Sequence, residues 1–397
     1  MLAIDTSGTS ETRANTGIQR VTRSLIKGLS NLTKVRPVCL NKTHNYWCFP
    51  KEKGRKRIYH QEDLLPGHRR GTSSNLWNRI LATITSGSEK GAVASDFSGF
   101  IEPEIFTKRV FSALNKWLVN GIPTMAIYYD ATSLKLPELS PKKNTGRFPA
   151  YLRELLNFTG IAAISETSRN ELLDYWKWLG IRDHPVIETI PLAANLSHTR
   201  RIPGHGSDKD QFPVVLCVGS IEGRKNQVSL LAAAEKLWQQ GLCFQLRLIG
   251  LASPETSGPT SDQLEALQKK GRPLKWLGPR SEQDLQMQYA TCRFTVYPSL
   301  AEGFGLPVLE SLKHGKPCVC SSRGAIGEIS TQGGCLTVEQ PTPDALVDAI
   351  KTLLTEPDVH TRLSEEAMSR PFRTWSDYAK DILEFQKSLQ KSSSCSQ

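Results

Sequence analysis

Two glutamates stand eight positions apart, at Glu302 and Glu310, in the segment of this chain that is richest in chemical information. Between them lies the run Gly303-Phe304-Gly305, placed where an apolar strand pattern ends and a helical pattern begins. Glycines let backbone N–H groups approach an anion, and a helix N-terminus attracts negative charge. The two carboxylates can accept hydrogen bonds from hydroxyl groups. The segment therefore predicts a site for a phosphate-bearing ligand, with one carboxylate on a sugar and the other on a ribose.

Short apolar runs alternate with helical patterns along both halves of the chain, and these elements must position the two carboxylates. The predicted strands are residues 2–5, 35–40, 92–95, 124–128, 161–164, 186–190, 213–218, 244–249, 274–277, 293–297 and 317–320. The predicted helices include residues 17–26, 103–120, 147–159, 166–180, 225–240, 260–270, 282–290, 305–314 and 375–389. This alternation is typical of α/β proteins with parallel sheets covered by helices on both faces. It predicts two doubly wound, Rossmann-like domains with a cleft between the carboxyl ends of their strands.

Changes in composition suggest the domain boundaries. Residues 193–212 are polar and contain glycine and proline, so they are predicted to link a first domain, residues 1–192, to a second domain, residues 213–372. Residues 373–397 are predicted to form a terminal helix and a polar tail. Residues 41–92 interrupt the pattern with aromatic and basic side chains, and we interpret them as a partly mobile insertion. A plain surface loop is an equal alternative.

Composition excludes several classes of protein. The 397 residues are 39% apolar and 22% charged, which is ordinary for a globular protein. No run approaches the roughly 20 apolar residues that span a bilayer, and Asp5 falls where a signal peptide would be apolar. We therefore expect a cytoplasmic protein. The nine cysteines are predicted to be reduced core thiols, and Cys318 and Cys320 have no neighbouring partners that would favour a metal site.

The net positive charge lies entirely in the first half of the chain. The net charge is +11, and the first 200 residues alone hold 28 basic and 17 acidic side chains, while the remaining 197 hold 22 of each. A basic field on one side of a protein typically faces an anionic partner such as lipid headgroups, phosphate or nucleic acid. We find no zinc finger, no RNA-binding string and no helix-turn-helix pattern, so nucleic acid is disfavoured.

The segment around the two glutamates resembles a known motif. Glu302 and Glu310, with Pro298-Ser299 before them and Gly315-Lys316-Pro317 after them, resemble the Glu-x7-Glu motif of the retaining GT-B glycosyltransferases of family 4, the group 1 glycosyltransferases. The resemblance covers nearly the whole chain except residues 41–92. It implies a GT-B fold and a terminal helix that returns to the first domain. It also implies transfer of a sugar from a nucleotide-sugar donor.

The resemblance assigns the donor site mainly to the second half. Arg224 and Lys225 follow the strand-end Gly219 and would grip the donor diphosphate, while the loop at Pro279 and Arg280 would contact the nucleobase. Such cations suit a leaving group that gains negative charge. The donor-binding residues are predicted to be Gly219, Arg224, Lys225, Pro279, Arg280, Glu302, Gly303, Phe304, Gly305, Leu306 and Glu310. The predicted catalytic residues are Glu302, Asp130, Arg224 and Lys225.

The first half resembles the family less closely. Its string Thr-Gly-Ile-Gln-Arg-Val is similar to a subgroup that builds bacterial surface polysaccharides. The acceptor-binding residues are predicted to be Gly8, Thr16, Gly17, Gln19 and Arg20. Asp130 follows Tyr129 at a strand end where many members carry a His-Asp pair. Asp130 would position the acceptor hydroxyl or stabilise charge near the anomeric carbon, and capping a loop is nearly as favoured.

The resemblance implies a retaining, metal-independent reaction without a cofactor. In the family's front-face mechanism the leaving phosphate accepts the acceptor's proton, so no dedicated base is needed. The Thr-Gly-Ile-Gln-Arg string favours GDP-mannose as the donor, with UDP-, dTDP- and ADP-sugars left open. The basic first half favours a saccharide acceptor linked to a lipid diphosphate, and a peripheral position on the anionic inner face of the membrane. A nucleotide-sugar epimerase, a phosphorylase and a non-catalytic sugar-binding copy are the alternatives.

Overall fold

The computed structural model describes residues 1–12, 17–41, 45–59, 91–106, 108–194 and 212–394. Within these ranges the chain forms two sheets flanked by helices, so the predicted α/β class is confirmed. Most of the predicted linker and much of the predicted 41–92 insertion lie outside the described residues. The predicted mobility of that insertion and the domain boundaries therefore stay predictions.

The first sheet has seven strands among the described residues, in the spatial order β3-β2-β1-β4-β5-β6-β7. They are β1 (Leu2–Asp5), β2 (Val35–Asn41), β3 (Tyr46–Cys48), β4 (Gly99–Glu102), β5 (Thr124–Tyr128), β6 (Gly160–Ala163) and β7 (Val186–Thr189). Its strands are parallel except β3, which runs antiparallel to β2 at the edge. The helices of this half are α1 (Gly17–Ser30), α2 (Glu52–Tyr59), α3 (Lys108–Leu118), α4 (Thr132–Lys135), α5 (Lys142–Glu154) and α6 (Glu166–Trp178).

The second sheet has six parallel strands in the described ranges, in the order β10-β9-β8-β11-β12-β13. They are β8 (Val214–Val218), β9 (Gln245–Ile249), β10 (Leu274–Trp276), β11 (Phe294–Tyr297), β12 (Cys318–Ser321) and β13 (Cys335–Val338). The helices that accompany them are α7 (Gln227–Gln239), α8 (Gly258–Lys269), α9 (Glu282–Thr291), α10 (Leu306–Lys313), α11 (Gly324–Ser330), α12 (Pro343–Thr355) and α13 (Pro357–Ser369). Helix α14 (Trp375–Ser394) follows them.

Burial and capping explain why these segments adopt their structures. Strands β1, β5 and β11 bury every residue, as expected for a parallel sheet covered on both faces. Ser165 caps α6 by accepting a hydrogen bond from the Ser168 backbone N–H. Ser281 and Thr342 cap α9 and α12 in the same way. These hydroxyls satisfy N–H groups that have no partner inside the helix.

The strand predicted at residues 92–95 is wrong. Residues Ala94–Asp96 form a single 3₁₀ turn, and β4 begins later, at Gly99. Phe100 is completely buried, whereas Val93 is 58% exposed. The run at residues 92–95 has the apolar pattern of a strand. Its side chains, however, are too small to fill the space between a sheet and its helices.

The described part of the 41–92 segment belongs to the fold, so the plain surface loop is wrong for residues 46–48. Strand β3 pairs with β2, and its Trp47 is buried against Phe100, with 4.9 Å between the ring centroids. Helix α2 buries Gly54 and Ile58 and exposes most of its basic residues to solvent. No described helix is long and apolar enough to cross a membrane.

The last helix packs against the first half of the chain. Gln386 Nε2 on α14 donates to the Pro123 carbonyl at 3.0 Å. Two glycines permit this contact. A Cβ added at Gly160 would lie 2.6 Å from Leu389, and one added at Gly28 on α1 would lie 2.7 Å from the Ala379 Cβ. Helix α14 therefore rests on α1 and β6 with no room for larger side chains.

Gly28→Ala is expected to lower the free energy of unfolding by about 1–3 kcal/mol. The new methyl group would lie 2.7 Å from the Ala379 Cβ and 2.9 Å from the Trp375 carbonyl oxygen. The matched control is Gly146→Ala in α5, where nothing lies within 4 Å. That change is expected to raise stability by about 0.5–1 kcal/mol. Urea unfolding followed by circular dichroism measures both, and equal effects would contradict the tight packing of α14.

Candidate functional site

A cleft of about 640 Å³ lies where the carboxyl ends of the two sheets face each other. Loops that follow β5, β8, β9 and β11 contribute to its walls. The cleft brings together most of the residues that the sequence assigned to the site. These are Gly17, Arg20, Asp130, Gly219, Arg224, Lys225, Pro279, Arg280, Glu302, Gly303, Phe304, Gly305, Leu306 and Glu310.

Two of the described residues predicted to bind the acceptor, Gly8 and Gln19, do not line this cleft. Thr16 lies outside the described residues. Gln19 is half-buried on α1 but is not part of the cleft wall. The Gly8 backbone N–H donates to Glu104 Oε2 at 2.5 Å, and a Cβ at Gly8 would meet that same oxygen at 2.5 Å. Gly8 therefore lets its loop close down on a buried carboxyl group.

Glu302 is held by four hydrogen-bond donors. Lys225 Nζ donates to Oε1 at 2.5 Å, and Arg224 Nη1 donates to Oε2 at 3.1 Å. The Tyr297 hydroxyl reaches Oε1 at 2.9 Å, and the Ser299 hydroxyl donates to the same oxygen. Burial alone would raise the pKa of Glu302, but the charges of Lys225 and Arg224 outweigh it and lower that pKa to about 2. The carboxylate is therefore ionised throughout the neutral range.

The two cations, Arg224 and Lys225, occupy a short 3₁₀ turn between β8 and α7. Asn226 closes that turn in the left-handed region, with φ of 55°. Burial and the neighbouring Arg224 lower the pKa of Lys225 against the opposing effect of Glu302. Arg224 Nε also donates to Glu222 Oε2 at 3.1 Å. The sequence analysis did not assign a role to Glu222, although it lies within the segment that carries the two cations.

The glycine loop, residues 303–305, joins the second half of the chain to the first. A Cβ at Gly303 would lie 2.3 Å from the Tyr129 carbonyl oxygen, so only glycine fits there. The Ser165 hydroxyl donates to the Gly303 carbonyl at 2.7 Å. Nearby, Glu328 accepts from the Thr167 backbone N–H at 2.6 Å, in the first turn of α6. These contacts fix the glycine loop against the strand ends of the first sheet.

Glu310 is paired with the first half of the chain. Arg20 Nη2 donates to Glu310 Oε1 at 2.5 Å, and the Tyr289 hydroxyl donates to Oε2 at 3.0 Å. The Glu310 side chain is 5% exposed and the Arg20 side chain 17% exposed. Arg20, predicted to bind the acceptor, thus contacts a residue predicted to bind the donor. The two residues are 290 positions apart in the sequence, so local spacing could not predict this pair.

Asp130 makes the loop-capping contact that the sequence analysis gave as an alternative, and it also lies in the cleft wall. Its Oδ1 accepts from the Thr132 backbone N–H at 2.9 Å, which caps the turn that leads into α4. Its carboxylate also lines the cleft beside Gly303. Capping and contact with a ligand are therefore compatible at this residue.

A group of buried carboxyls beneath the first loop was not predicted. Asp5 and Glu102 end the neighbouring strands β1 and β4, and Glu104 accepts from the backbone N–H groups of Gly8 and Thr9 at 2.5 and 2.7 Å. Burial, and next the charge of Asp5, raise the pKa of Glu104 to about 7. Asp5 was noted only as a break in an apolar run, and nothing in the local pattern marks the other two residues.

The described residues contain no group of three or more histidine, cysteine, aspartate or glutamate side chains that could hold a metal ion. An Asp-x-Asp pair, a pattern typical of metal-dependent sites, occurs at Asp208 and Asp210. It lies outside the described residues. Metal independence stays a prediction.

Glu302→Gln is expected to lower the free energy of unfolding at pH 7 by about 3 kcal/mol, because it leaves two buried cations without their anion. The folded pKa lies below the ordinary value of 4.5. The difference between wild type and variant should therefore be complete above about pH 5 and shrink as the pH falls from 4.5 towards 2. Urea unfolding across this range measures it.

The matched control for this experiment is Glu265→Gln. Glu265 pairs with Lys269 on the surface, and its side chain is 66% exposed. Exposed pairs contribute little to stability, so this variant should resemble wild type at each pH. A Glu302→Gln effect that does not change with pH would contradict the assigned ion cluster.

The second half of the chain matches a known protein family. Residues 200–370 match the family described as glycosyl transferases group 1. The O-antigen chain mannosyltransferase B of Escherichia coli is 30% identical over 223 residues, which are 52% of this chain and 55% of that protein. This chain thus spans about half the length of that relative. The GDP-mannose-dependent alpha-(1-6)-phosphatidylinositol dimannoside mannosyltransferase of Mycobacterium tuberculosis is 25% identical over 292 residues, covering 70% of this chain and 72% of the relative.

Solved structures of other proteins have a similar fold over nearly all of this chain. HepE of Anabaena, in complex with UDP and glucose, matches with a TM-score of 0.65 at 14% identity and covers 98% of this chain and 99% of its own. The predicted GT-B fold is therefore confirmed, with two Rossmann-like sheets facing across a cleft. The part of this GT-B chain that matches the glycosyl transferases group 1 family, residues 200–370, includes the second of these two sheets.

Proposed function

We propose that this protein transfers a sugar from a nucleotide-sugar donor to a saccharide acceptor. The observation that carries the proposal is the cluster of Arg224, Lys225 and Glu302 in the cleft, beside the glycine loop. Two cations held next to the glycine loop suit a diphosphate, and a carboxylate within their reach suits the sugar attached to it. The cluster is too ordered to be a solvated surface patch, because each charge is largely buried.

We propose, as the family resemblance implies, a reaction in which the leaving diphosphate supplies the base. The bond between the anomeric carbon and the diphosphate oxygen breaks, and a bond from that carbon to an acceptor hydroxyl oxygen forms. The hydroxyl proton passes to the departing diphosphate. Arg224 and Lys225 neutralise the charge that collects on this group. Attack on the face from which the diphosphate departs retains the anomeric configuration, and an inverted product would contradict this step.

GDP-mannose is the donor we favour. Two similar proteins support this choice by name, one as a mannosyltransferase and the other as a GDP-mannose-dependent one. The UDP bound to HepE supports a uridine nucleotide instead. Donors with UDP, dTDP and ADP are therefore the alternatives that the experiment must compare. We further propose that the reaction needs neither a metal nor a cofactor.

The acceptor we propose is a saccharide linked to a lipid diphosphate at the inner face of the membrane. Helix α2 supports this, because Lys53, Arg55 and Lys56 are exposed on it and Tyr59 beside them is 51% exposed. Basic and aromatic side chains together suit an anionic interface. The excess positive charge of the first 200 residues also favours contact with an anionic membrane surface.

A single one of GDP, UDP, dTDP and ADP is expected to raise the melting temperature in a thermal-shift panel run with EDTA. The shift should disappear in an Arg224→Ala/Lys225→Ala variant, because ligand stabilisation follows binding to the folded state. The matched control, Lys351→Ala/Arg362→Ala, removes the same charge from exposed sites of the second half. It should keep the shift. A wild-type chain that responds to none of the four contradicts the proposed function.

Anionic vesicles of phosphatidylglycerol are expected to sediment with the protein, and neutral phosphatidylcholine vesicles are not. A Lys53→Gln/Arg55→Gln/Lys56→Gln variant should lose most of this binding, as should wild type at high salt. The control changes three exposed lysines of the second half, Lys269, Lys275 and Lys351, to glutamine. It should bind like wild type. Binding that ignores both lipid charge and salt would contradict the membrane proposal.

A further inference from the structure

One ion pair in the cleft joins the two halves of the chain. It runs from Arg20, in the first turn of α1, to Glu310 on α10, with 2.5 Å between Nη2 and Oε1. Both residues line the cleft. The contacts of Ser165 and Glu328 also cross between the halves, to the Gly303 carbonyl and to the backbone N–H and hydroxyl of Thr167. The Arg20–Glu310 pair instead uses a carboxylate that the proposed function needs for its ligand.

Partners from the described residues use only half of the hydrogen-bond capacity of Glu310. An ionised carboxylate can accept about four hydrogen bonds, two on each oxygen. Arg20 occupies one position on Oε1, and the Tyr289 hydroxyl occupies one on Oε2. Tyr289 is itself immobilised, since it is completely buried and stacks on His314 with 5.1 Å between the ring centroids. Two partners on opposite oxygens thus fix the plane of the carboxylate and leave one acceptor position on each oxygen.

We propose that Arg20 is a positioning residue for the donor nucleotide, supplied by the half of the chain opposite the nucleotide. This inference rests on the proposed function and deepens it. Arg20 holds the Glu310 carboxylate so that its two remaining acceptor positions take the two ribose hydroxyls of a nucleoside diphosphate. The ribose site is then complete only when both halves are in the arrangement seen here.

The chemistry of arginine suits this role. Glu310 is almost fully buried, and a buried carboxylate that loses its cation is strongly destabilised. The guanidinium group is always charged, and its planar shape fixes the direction of the hydrogen bond as well as its strength. Lysine at the same position would keep the charge but would define the carboxylate plane less well. The contribution of Arg20 should therefore depend on the ribose hydroxyls and not on the phosphates.

Isothermal titration of GDP and of 2′,3′-dideoxy-GDP tests this inference. The wild-type chain should prefer GDP by about tenfold to a hundredfold, as expected for hydrogen bonds to a charged group. Arg20→Ala should reduce that preference to less than about threefold, while affinity for the dideoxy nucleotide changes little. Arg20→Lys should be intermediate. If the thermal-shift panel selects another base, the same pair of nucleotides with that base replaces the guanosine pair.

Lys27→Ala is the matched control, because Lys27 is an exposed cation on the same helix. It should leave both affinities unchanged, and thermal unfolding of each variant verifies that it is folded. Equal loss of both nucleotides in Arg20→Ala would mean that Arg20 acts on the diphosphate or on the fold alone, and tighter binding of GDP would mean that it blocks the site. Either result overturns the inference. Absence of nucleotide binding to the wild-type chain contradicts the proposed function itself.

Discussion

Mutual compensation of buried charges holds the centre of this molecule together. Arg224 and Lys225 lie side by side with little exposure to water, and this arrangement is tolerable because Glu302 pairs with both cations and Glu222 pairs with Arg224. The neighbouring position of β8 and β11 in the second sheet makes the cluster possible. The loops after these strands diverge at the point where the strand order reverses, which is where open α/β sheets bind ligands. The same carboxylate thus stabilises the two cations and contributes to the wall of the cleft.

The first half of the chain completes the site through backbone contacts. The Tyr129 carbonyl approaches Gly303 at a distance that excludes any side chain, and the Ser165 and Ser168 hydroxyls bind the Gly303 carbonyl from the start of α6. Apolar contacts run through the same region, since Tyr129 and Phe304 belong to one core that spans both sheets. The position of the glycine loop is therefore set by both halves.

Local patterns were sufficient to predict the second half of the site. Glu302, the glycine loop and Glu310 lie within nine consecutive residues, so the strand pattern before them and the helical pattern after them place them at a strand end and on the following helix. Arg224 and Lys225 also lie in one short segment, and their role was assigned through its resemblance to the family. The fold class followed from the alternation of apolar runs with helical patterns, which depends on short segments and tolerates errors at their ends.

Features built from distant parts of the chain could not be predicted in this way. Arg20 and Glu310 lie on helices of different halves of the chain, and the buried Glu104 meets the distant loop at Gly8. The strand predicted at residues 92–95 was wrong for a related reason. Whether an apolar run becomes a strand depends on the helices that cover it. Here the strand is β4, whose bulky Phe100 is completely buried.

Helix α14 has a consequence for the order in which the protein folds during synthesis. Its residues Tyr378, Ile382 and Phe385 share a core with Leu2 and Leu25 near the beginning of the chain. That face of the first sheet stays uncovered until the ribosome has made the whole second half. Contacts over such separations form late, and an exposed apolar face invites aggregation while it waits. The nascent chain therefore exposes an apolar surface while its second half is made, and aggregation is favoured during that interval.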